Sequence, residues 1–327
     1  MSHPEIGAGR RARSATVDHA ALAIDGGQSG IRARLRTLDG PPASGRPVLE
    51  FPGLLTDRPI AAQVADVVRQ VVAETGATLG VVSAGLSGLT DAGRTARELL
   101  GATRGLGVAQ AHVAHDAVTS YVGALGDAPG AVVAAGTGVV TLAVGARETA
   151  RIDGWGHSMG DAGSGYWIGR RALDAVMRAY DGRGPATGLT EIVRADLGDL
   201  DHAYIALQAD PHWVSRTAAF AADVARLADT DEVAAAICDD AAAELACSVE
   251  AGLRRVGLAG SDTPAVCLLG GVLRGEWIRT GLTARLRERW PAVEIREPAA
   301  NALEGAARLP FLAGDSPLRG LAATADA

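Results

Sequence analysis

The chain has 327 residues, which exceeds the usual size of one domain and favours two domains packed together. Its formal net charge is −7 and no basic stripe is present, which argues against nucleic acid or an anionic membrane as the main partner. All 31 basic residues are arginine. A Walker A loop, a protein-kinase fold and a Schiff-base enzyme each need a lysine, so these classes are excluded. If this protein binds a nucleotide, it must therefore do so with glycine-rich backbone loops and a metal ion.

The cysteines indicate a reducing compartment. Cys238, Cys247 and Cys267 form neither a CxxC pair nor a zinc-ligand spacing. A sparse, odd number is typical of reduced thiols and predicts a cytoplasmic protein. The longest apolar run, residues 131–144, is interrupted by a Gly-Thr-Gly triplet, so it predicts two buried strands and not a membrane span.

The first part of the chain contains a strand, a turn and a second strand. Residues 1–19 are polar and aperiodic, which predicts a loose arm. Residues 20–36 predict a buried strand, a glycine turn, and a half-buried strand in which apolar residues alternate with arginines. Pro59 is expected to open a helix that carries valines on one face and ends at Gly76.

Strands and helices then alternate. Residues 79–84 predict a buried strand, and a helix over residues 91–100 is expected to be capped by Thr90. Residues 108–114 predict a further strand, which leads into Asp116 and another helix.

The second half begins with a unit similar to the first. Residues 132–144 predict strand, glycine turn and strand again, which indicates a weak internal repeat. Beyond residue 156 the pattern is largely helical, apart from a strand at 265–269 that leads into two glycines. Residues 311–327 are expected to form a frayed tail.

Both predicted hairpin turns are rich in glycine, with Gly26 and Gly27 in the first and Gly136 and Gly138 in the second. Glycine permits positive φ and lets an anion approach the backbone amides closely. One such turn is a weak signal, since an ordinary hairpin has the same composition. Two turns in the same context predict a polyphosphate gripped from both sides.

Two aspartates follow strands, and each has two interpretations. Asp25 stands at the mouth of the first turn, where its carboxylate holds Mg²⁺ through water or closes an Asx-turn. Asp116 lies between a strand and a helix, where aspartate is commonly an N-cap. Its alternative role is that of a catalytic base, because phosphoryl transfer depends mainly on positioning and charge stabilisation.

Residues 154–169, with the sequence GWGHSMGDAGSGYWIG, are the densest segment of the chain. Asp161 lies in it just before a predicted helix and is a possible cap. The many glycines around it indicate instead a backbone that a ligand approaches closely.

Together these motifs resemble the BadF/BadG/BcrA/BcrD-type ATPase family and, within it, the N-acetylglucosamine kinases. The similar motifs extend over about residues 20 to 310 and are DGG at 25–27, GTG at 136–138, GWG at 154–156, GD at 160–161, GS at 163–164 and GG at 270–271. The resemblance implies an α/β fold of two ribonuclease-H-like, actin-like lobes with ATP and Mg²⁺ in the cleft between them. It implies an N-terminal lobe over 20–126 and a C-terminal lobe over 127–310, whose last helix is free to return to the first lobe.

The resemblance also implies roles for single residues. Asp116 is similar to the catalytic base, and Asp25 to the carboxylate that holds Mg²⁺ through water. The implied ATP-binding residues are Gly26, Gly27, Gln28, Ser29, Gly136, Thr137, Gly138, Gly270 and Gly271. The implied sugar-binding residues are Asp57, Ser87, Gly88, Asp116, Thr137, Gly138 and Asp161. A homodimer is implied by the resemblance alone.

Several positions depart from the family pattern. Gly30 stands where lysine is frequent, and Ala162 replaces a common glutamate. Val139 and Val140 stand where serine and asparagine often help to hold the sugar. Asp57 stands where asparagine often faces the sugar, and it can equally cap the following helix.

The expected function is transfer of the γ-phosphate of ATP to a hydroxyl of an amino sugar, namely N-acetylglucosamine, glucosamine, N-acetylmuramic acid or a relative. A non-catalytic sugar sensor on the same fold is one alternative. An activator ATPase of a 2-hydroxyacyl-CoA dehydratase is another. The activator needs interface cysteines for an iron–sulfur cluster, and the spacing of the three cysteines does not match one.

Overall fold

The computed structural model describes residues 20–37, 47–55 and 57–327, and two β-sheets organise this part of the chain. The predicted arm over residues 1–19 lies outside the described residues. The first sheet contains β1 (Ala20–Gly26), β2 (Ile31–Thr37), β3 (Leu49–Phe51), β4 (Leu79–Leu86), β5 (Gln110–His115) and β11 (Ala322–Asp326). The second sheet contains β6 (Gly130–Ala135), β7 (Val139–Val144), β8 (Thr149–Asp153), β9 (Ala265–Leu269) and β10 (Glu294–Arg296).

The helices alternate with the strands in the first half of the chain and predominate in the second half. They are α1 (Ile60–Thr75), α2 (Ala92–Thr103), α3 (Asp116–Leu125), α4 (Gly165–Tyr180), α5 (Leu189–Leu197), α6 (Ala203–Gln208), α7 (Trp213–Leu227), α8 (Glu232–Arg255), α9 (Glu276–Arg289) and α10 (Ala302–Arg308). The strand order is β11-β5-β4-β1-β2-β3 in the first sheet and β10-β9-β6-β7-β8 in the second.

The two sheets repeat one arrangement. In the first, β1 and β2 form an antiparallel hairpin and β4 lies parallel to β1. In the second, β6 and β7 form an antiparallel hairpin and β9 lies parallel to β6. The predicted repeat of strand, turn and strand is therefore confirmed. Since parallel strands end at the same edge of a sheet, β1, β4 and β5 present their carboxyl ends together, as do β6 and β9.

Helix α1 forms where the valine pattern predicts it. Four valines between positions 64 and 71 recur at helical spacing and are buried against the first sheet. The helix follows Pro59 and ends at Gly76, whose φ of 66° suits glycine. Both predicted boundaries are confirmed.

Helix α2 begins one residue later than predicted. Asp91 is its N-cap, and Oδ1 of this side chain accepts the amide of Arg94 at 2.8 Å. The prediction that Thr90 caps the helix is wrong. Threonine and aspartate are both good caps, so local preference alone does not decide between neighbouring positions.

The second sheet packs against a large helical core. Helix α8, 24 residues long, buries one face there together with parts of α4, α7 and α9. Cys238 and Cys267 are buried free thiols, whereas Cys247 is exposed. Burial raises the pKa of Cys238 and Cys267 to about 11, so both stay protonated at neutral pH.

Helix α3 joins the two halves. It starts at the end of β5, and its residues Val118, Tyr121 and Val122 pack with Val132 and Leu142 of the second sheet. The hydroxyl of Tyr121 donates to the carbonyl of Ala128 at 2.7 Å, which satisfies the buried phenol. One helix therefore fixes the start of the second sheet relative to the end of β5.

The C-terminal residues are folded. β11 pairs antiparallel with β5, from Ala322 opposite Ala114 to Asp326 opposite Gln110. The turn of 3₁₀ helix before it, Pro317–Leu321, buries Leu318 completely. The expectation of a frayed tail over 311–327 is wrong, because these residues cover what would otherwise be an open edge of β5.

Helix α10 returns to the first sheet. Its residues Leu303 and Ala307 pack on Ala23 of β1. Glu304 accepts from Arg34 at 2.5 Å and from Arg36 at 3.1 Å, and these contacts anchor the helix to β2. Within the described part of the chain, no helix combines the length and apolar character that crossing a bilayer requires.

If the C-terminal segment is part of the core, Leu318→Ala should lower the free energy of unfolding by about 2–5 kcal/mol, measured by urea denaturation. Phe311→Ala, at a side chain 68% exposed, is the control and should change it by less than about 0.5 kcal/mol. Equal, small effects of both substitutions would contradict a buried role for this segment.

Candidate active site

The first glycine turn joins β1 to β2. The amide of Gly27 donates to the carbonyl of Gly30 at 3.0 Å, while the side chains of Gln28 and Ser29 are exposed. Within the described residues, the amides of Gln28 and Ser29 donate to no protein oxygen. A tight turn with outward amides is an anion-binding arrangement. Gly53 passes so close beneath it that a Cβ there would lie 2.0 Å from the carbonyl oxygen of Gln28.

The second glycine turn joins β6 to β7. The amide of Gly136 donates to the carbonyl of Gly138 at 2.8 Å. The carbonyls of Gly136 and Thr137 accept the amides of Gly165 at 2.8 Å and Tyr166 at 3.0 Å. The start of α4 thus holds the carbonyl side of the turn and leaves Thr137 exposed.

Positive φ does not explain the glycines of these turns, and small size is required only at Gly26 and Gly138. None of Gly26, Gly27, Gly136 and Gly138 has φ in the left-handed region, so that part of the sequence argument is wrong. A Cβ at Gly138 would lie 2.6 Å from Oδ2 of Asp161, whereas a Cβ at Gly136 would meet nothing within 4 Å. The second turn therefore contacts Asp161 on one side and open space on the other.

Asp25 is paired with an arginine that the sequence analysis did not single out. It lies opposite Arg32 in the β1–β2 register, and the guanidinium donates to its carboxylate at 2.5 Å. Burial raises the pKa of Asp25, the Arg32 guanidinium opposes this rise, and the negative charge of Asp116 adds to it. The carboxylate is thus bound by a guanidinium and does not form the Asx-turn considered for Asp25.

The surroundings of Asp25 are chemically suited to Mg²⁺. The negative charge of Asp116 raises the pKa of Asp25, and a divalent cation beside Asp25 would offset this repulsion. Mg²⁺ in such sites keeps several waters and takes one or two protein carboxylates. Within the described residues no cluster of three or more His, Cys, Asp or Glu side chains forms a metal cage.

Ser87 lies directly beside the first turn. Its amide donates to the carbonyl of Gly26 at 2.8 Å, at the carboxyl end of β4. Gly88 follows with φ of 70°, a conformation that favours glycine. The carboxyl ends of β1, β4 and β5 therefore bring Asp25, Ser87 and Asp116 to one edge of the first sheet.

Asp116 is the first residue of α3 and not its cap. His115 occupies the N-cap position, and its Nδ1 lies 3.2 Å from the amide of Ala117. The same Nδ1 lies 2.6 Å from Oδ1 of Asp116. One ring nitrogen cannot accept the amide and donate to the carboxylate together, and the shorter contact, to the charged group, is the stronger. Oδ1 of Asp116 is buried and has no other polar partner in the described residues, which leaves the other oxygen for a ligand.

Asp161 is buried against the second turn. It is 6% exposed and has φ of 61°, in the left-handed region. Burial raises its pKa, the charge of Asp153 raises it further, and the amides of Gly156 and Val139 and the His157 ring lower it. It does not cap α4, because Ser164 does so by accepting the amide of Trp167 at 3.1 Å.

The loop that carries Asp161 is fixed by Asp153, the last residue of β8. Its carboxylate accepts the amide of Asp161 at 2.7 Å and the amide of Ala162 at 3.0 Å. Asp153 itself has φ of 58°. Left-handed backbone at a non-glycine residue costs about 1 kcal/mol or more, so two such residues in contact indicate a conformation that the surroundings impose.

Three aromatic rings lie beside this loop. His157 lies 5.0 Å from the ring of Tyr166 and 5.1 Å from that of Trp213, and these two rings are 5.7 Å apart. The guanidinium of Arg151 lies 4.4 Å from the ring centre of Trp155. Sequence reasoning missed this cluster, since Trp213 lies far along the chain.

Gly270 and Gly271 follow β9 and lie near the second turn. Gly270 has φ of 100°, and a Cβ there would lie 2.2 Å from the carbonyl oxygen of Ala135 at the end of β6. Gly271 has open space around it. Asp57 is exposed in the turn before α1, and no side chain caps that helix, so the capping role considered for Asp57 is absent.

The structure accounts for some of the departures from the family pattern. Val139 is 4% exposed and its side chain belongs to the helical core, so it does not reach a ligand. Val140 packs on the opposite face, 3.2 Å from where a Cβ of Gly154 would lie. Gly30 has room for a side chain, with only the carbonyl of Phe51 at 3.7 Å. Ala162 contributes its amide, which Asp153 binds.

Known proteins are similar to this chain in sequence. The sequence profile of the BadF/BadG/BcrA/BcrD ATPase family matches residues 23–309. The N-acetyl-D-glucosamine kinase of Dictyostelium discoideum is 31% identical over 189 residues, which are 55% of this chain and 58% of that protein. The N-acetylmuramic acid/N-acetylglucosamine kinase of Clostridium acetobutylicum is 30% identical over 176 residues, 51% of this chain and 56% of that protein. The chain thus spans little more than half the length of these curated relatives.

Solved structures show the same fold. An N-acetylglucosamine kinase candidate from Chromobacterium violaceum has a TM-score of 0.69 and 28% identity, covering 88% of this chain and 97% of its own. The ROK hexokinase of Thermus thermophilus, at 16% identity and a TM-score of 0.53 over 91% and 97% of the two chains, supports the fold alone. The expected α/β fold with two actin-like lobes and a cleft between them is confirmed. The chain belongs to the BadF/BadG/BcrA/BcrD ATPase family.

Proposed function

We propose that this protein is an ATP-dependent kinase that transfers the γ-phosphate to a hydroxyl of an amino sugar, N-acetylglucosamine or a relative. The observation that carries the proposal is Asp116, whose carboxylate lies at the strand edge shared with Asp25 and Ser87 and is held on one oxygen by His115. A carboxylate oriented in this way suits a base that accepts a proton from a hydroxyl.

The two glycine turns are proposed to hold the triphosphate. Their outward amides supply partial positive charge where the chain has no lysine, and the turns are fixed by Leu54 and by the start of α4. Residues Gly26 to Ser29 serve as the first phosphate loop and Gly136 to Gly138 as the second. Gly270 and Gly271, which lie near the second turn, are proposed to contact the adenosine.

Asp25 is the residue that would hold Mg²⁺, through water. The metal would supply charge neutralisation at the β- and γ-phosphates. Arg32 now occupies the Asp25 carboxylate. Because the Arg32 side chain is 48% exposed, its guanidinium is free to turn toward a bound phosphate.

The transfer itself is proposed to depend on Asp116. Its other carboxylate oxygen accepts the proton of the sugar hydroxyl while the hydroxyl oxygen forms a bond to the γ-phosphorus. The bond from the γ-phosphorus to the β,γ-bridging oxygen breaks, and ADP leaves with the electron pair. Closure of the lobes on the sugar would exclude water and suppress hydrolysis of ATP.

The sugar is proposed to lie between Asp116 and Asp161. Asp161 adjoins Gly138 of the second turn, and its carboxylate is suited to orienting a sugar hydroxyl. Thr137, Ser87, Gly88 and Asp57 are proposed as further contacts. An amino sugar is preferred because both curated relatives are named as kinases of N-acetylglucosamine, one also of N-acetylmuramic acid.

Two alternative functions make different demands. A sugar sensor would bind the sugar without transferring phosphate, and the departures at Gly30, Ala162 and Val140 motivate it. An activator ATPase would need cluster-binding cysteines, whereas two of the three are buried thiols with raised pKa values. A cytoplasmic homodimer stays a prediction from the resemblance and from the cysteine pattern.

An assay of ADP release separates these functions. Purified protein with Mg²⁺ and ATP should form ADP only when an amino sugar is added, from a panel of N-acetylglucosamine, glucosamine and N-acetylmuramic acid with glucose as comparison. Sugar binding by calorimetry without ADP would identify the sensor. ADP formation that needs no sugar would identify the activator.

Asp116→Asn tests the proposed base, because asparagine keeps the shape and cannot take the proton. The variant should lose about 10²- to 10⁴-fold in kcat while its affinity for ATP, measured by calorimetry, stays near the wild-type value. Asp91→Asn is the control, since asparagine caps α2 as well as aspartate does. Turnover by Asp116→Asn that matches the control would remove this carboxylate from the mechanism.

A further inference from the structure

Asp153 is a residue to which the proposed mechanism gives no role, yet it makes the contacts that shape the Asp161 loop. It is the last residue of β8 and lies opposite Val140, two residues after Gly138 of the second turn. Its carboxylate accepts two consecutive amides, those of Asp161 and Ala162, at 2.7 and 3.0 Å. A third amide, of Trp155, lies 3.5 Å away.

Gly160 lies directly against this carboxylate. A Cβ at Gly160 would lie 2.3 Å from Oδ1 of Asp153, so only glycine fits beside it. Both Asp153 and Asp161 have left-handed backbone, with φ of 58° and 61°. Aspartate tolerates this conformation better than most residues, and the bound amides keep the loop in it.

We propose that Asp153 is the positioning residue of the sugar site: its carboxylate locks the backbone of Asp161 and Ala162 and so aims the Asp161 side chain past Gly138 into the cleft. This inference rests on the proposed sugar-kinase function for the role of Asp161. It assigns Asp153 no contact with the sugar.

The arrangement has an electrostatic consequence. The negative charge of Asp153 disfavours ionisation of Asp161, and so does burial, which is the larger effect. The groups that oppose them are the amides of Gly156 and Val139 and the ring of His157. Removal of the Asp153 charge should therefore lower the pKa of Asp161. If the ionised carboxylate binds the sugar, the acidic limb of kcat/KM for sugar should then move to lower pH.

Three variants test the inference. Asp153→Ala removes both amide contacts and should raise KM for the sugar about 10- to 100-fold, with KM for ATP changed less than about twofold. Asp153→Asn keeps one acceptor oxygen and the tolerance for left-handed backbone but removes the charge. It should raise the sugar KM less and lower the pKa of Asp161, read by carboxyl ¹³C NMR. Asp231→Ala is the control for Asp153→Ala, because Asp231 also binds two consecutive amides, at the start of α8 and outside the proposed site, together with Thr187 and Gly188.

Each outcome decides the question. An unchanged sugar KM in Asp153→Ala, with the same loss of thermal stability as in Asp231→Ala, would overturn the positioning role. If Asp153→Ala does not fold, a sugar KM in Asp153→Asn equal to the wild-type value overturns it, and an unmoved Asp161 pKa in that variant would overturn the electrostatic coupling. If the wild-type protein phosphorylates no sugar, the proposed function fails. The NMR titration still tests the Asp153–Asp161 coupling in that case.

Discussion

The binding of a triphosphate by a chain without lysine depends on backbone amides. Here those amides are offered by two hairpin turns, each at the carboxyl end of a strand in a different sheet. Each turn is held from behind: the first by the segment after β3, the second by the opening amides of α4. Fixed amides lose little conformational freedom when an anion binds. This preorganisation lets partial charges stabilise an anion to an extent comparable with a flexible, fully charged side chain.

In the absence of lysine, arginine is the remaining source of full positive charge, and the arginines of β2 are held in ion pairs. Arg32 is directed to Asp25, and Arg34 and Arg36 are directed to Glu304 of α10. The three arginines that alternate along β2 therefore anchor neighbouring carboxylates. In the proposed mode of phosphate binding, the backbone amides and a metal ion would therefore carry most of the interaction.

Much of the fold could be predicted from the sequence because local pattern and burial agree. The hairpins at 20–36 and 132–144, the helix ending at Gly76 and the strand at 265–269 all follow hydrophobic period and glycine position. β11 could not be predicted in this way. Its Ala-Ala-Thr-Ala-Asp sequence has little apolar signal, and it becomes a strand because β5 offers an unpaired edge.

The candidate site was predictable where motif and strand end coincide, as at Asp25, Asp116 and the two turns. Its supporting residues were not. Arg32 follows only from the β1–β2 register, and the cap at His115 only from the backbone at the start of α3. Asp153 and Trp213 act on the site through contacts made across the loop of 154–164 and between α4 and α7, which no local pattern encodes. The glycine turns were identified for a wrong reason, since their φ values are not in the left-handed region and the missing Cβ is needed for space only at Gly26 and Gly138.

The most direct test of this account is a crystal structure with Mg²⁺, a non-hydrolysable ATP analogue and N-acetylglucosamine. The account predicts β- and γ-phosphate oxygens about 3 Å from amides of both turns, one among Gly27 to Ser29 and the other among Thr137 and Gly138. Asp116 should then face the sugar. A triphosphate held by arginine side chains elsewhere, with Gly27 and Gly136 on surfaces that share no crevice, would contradict it.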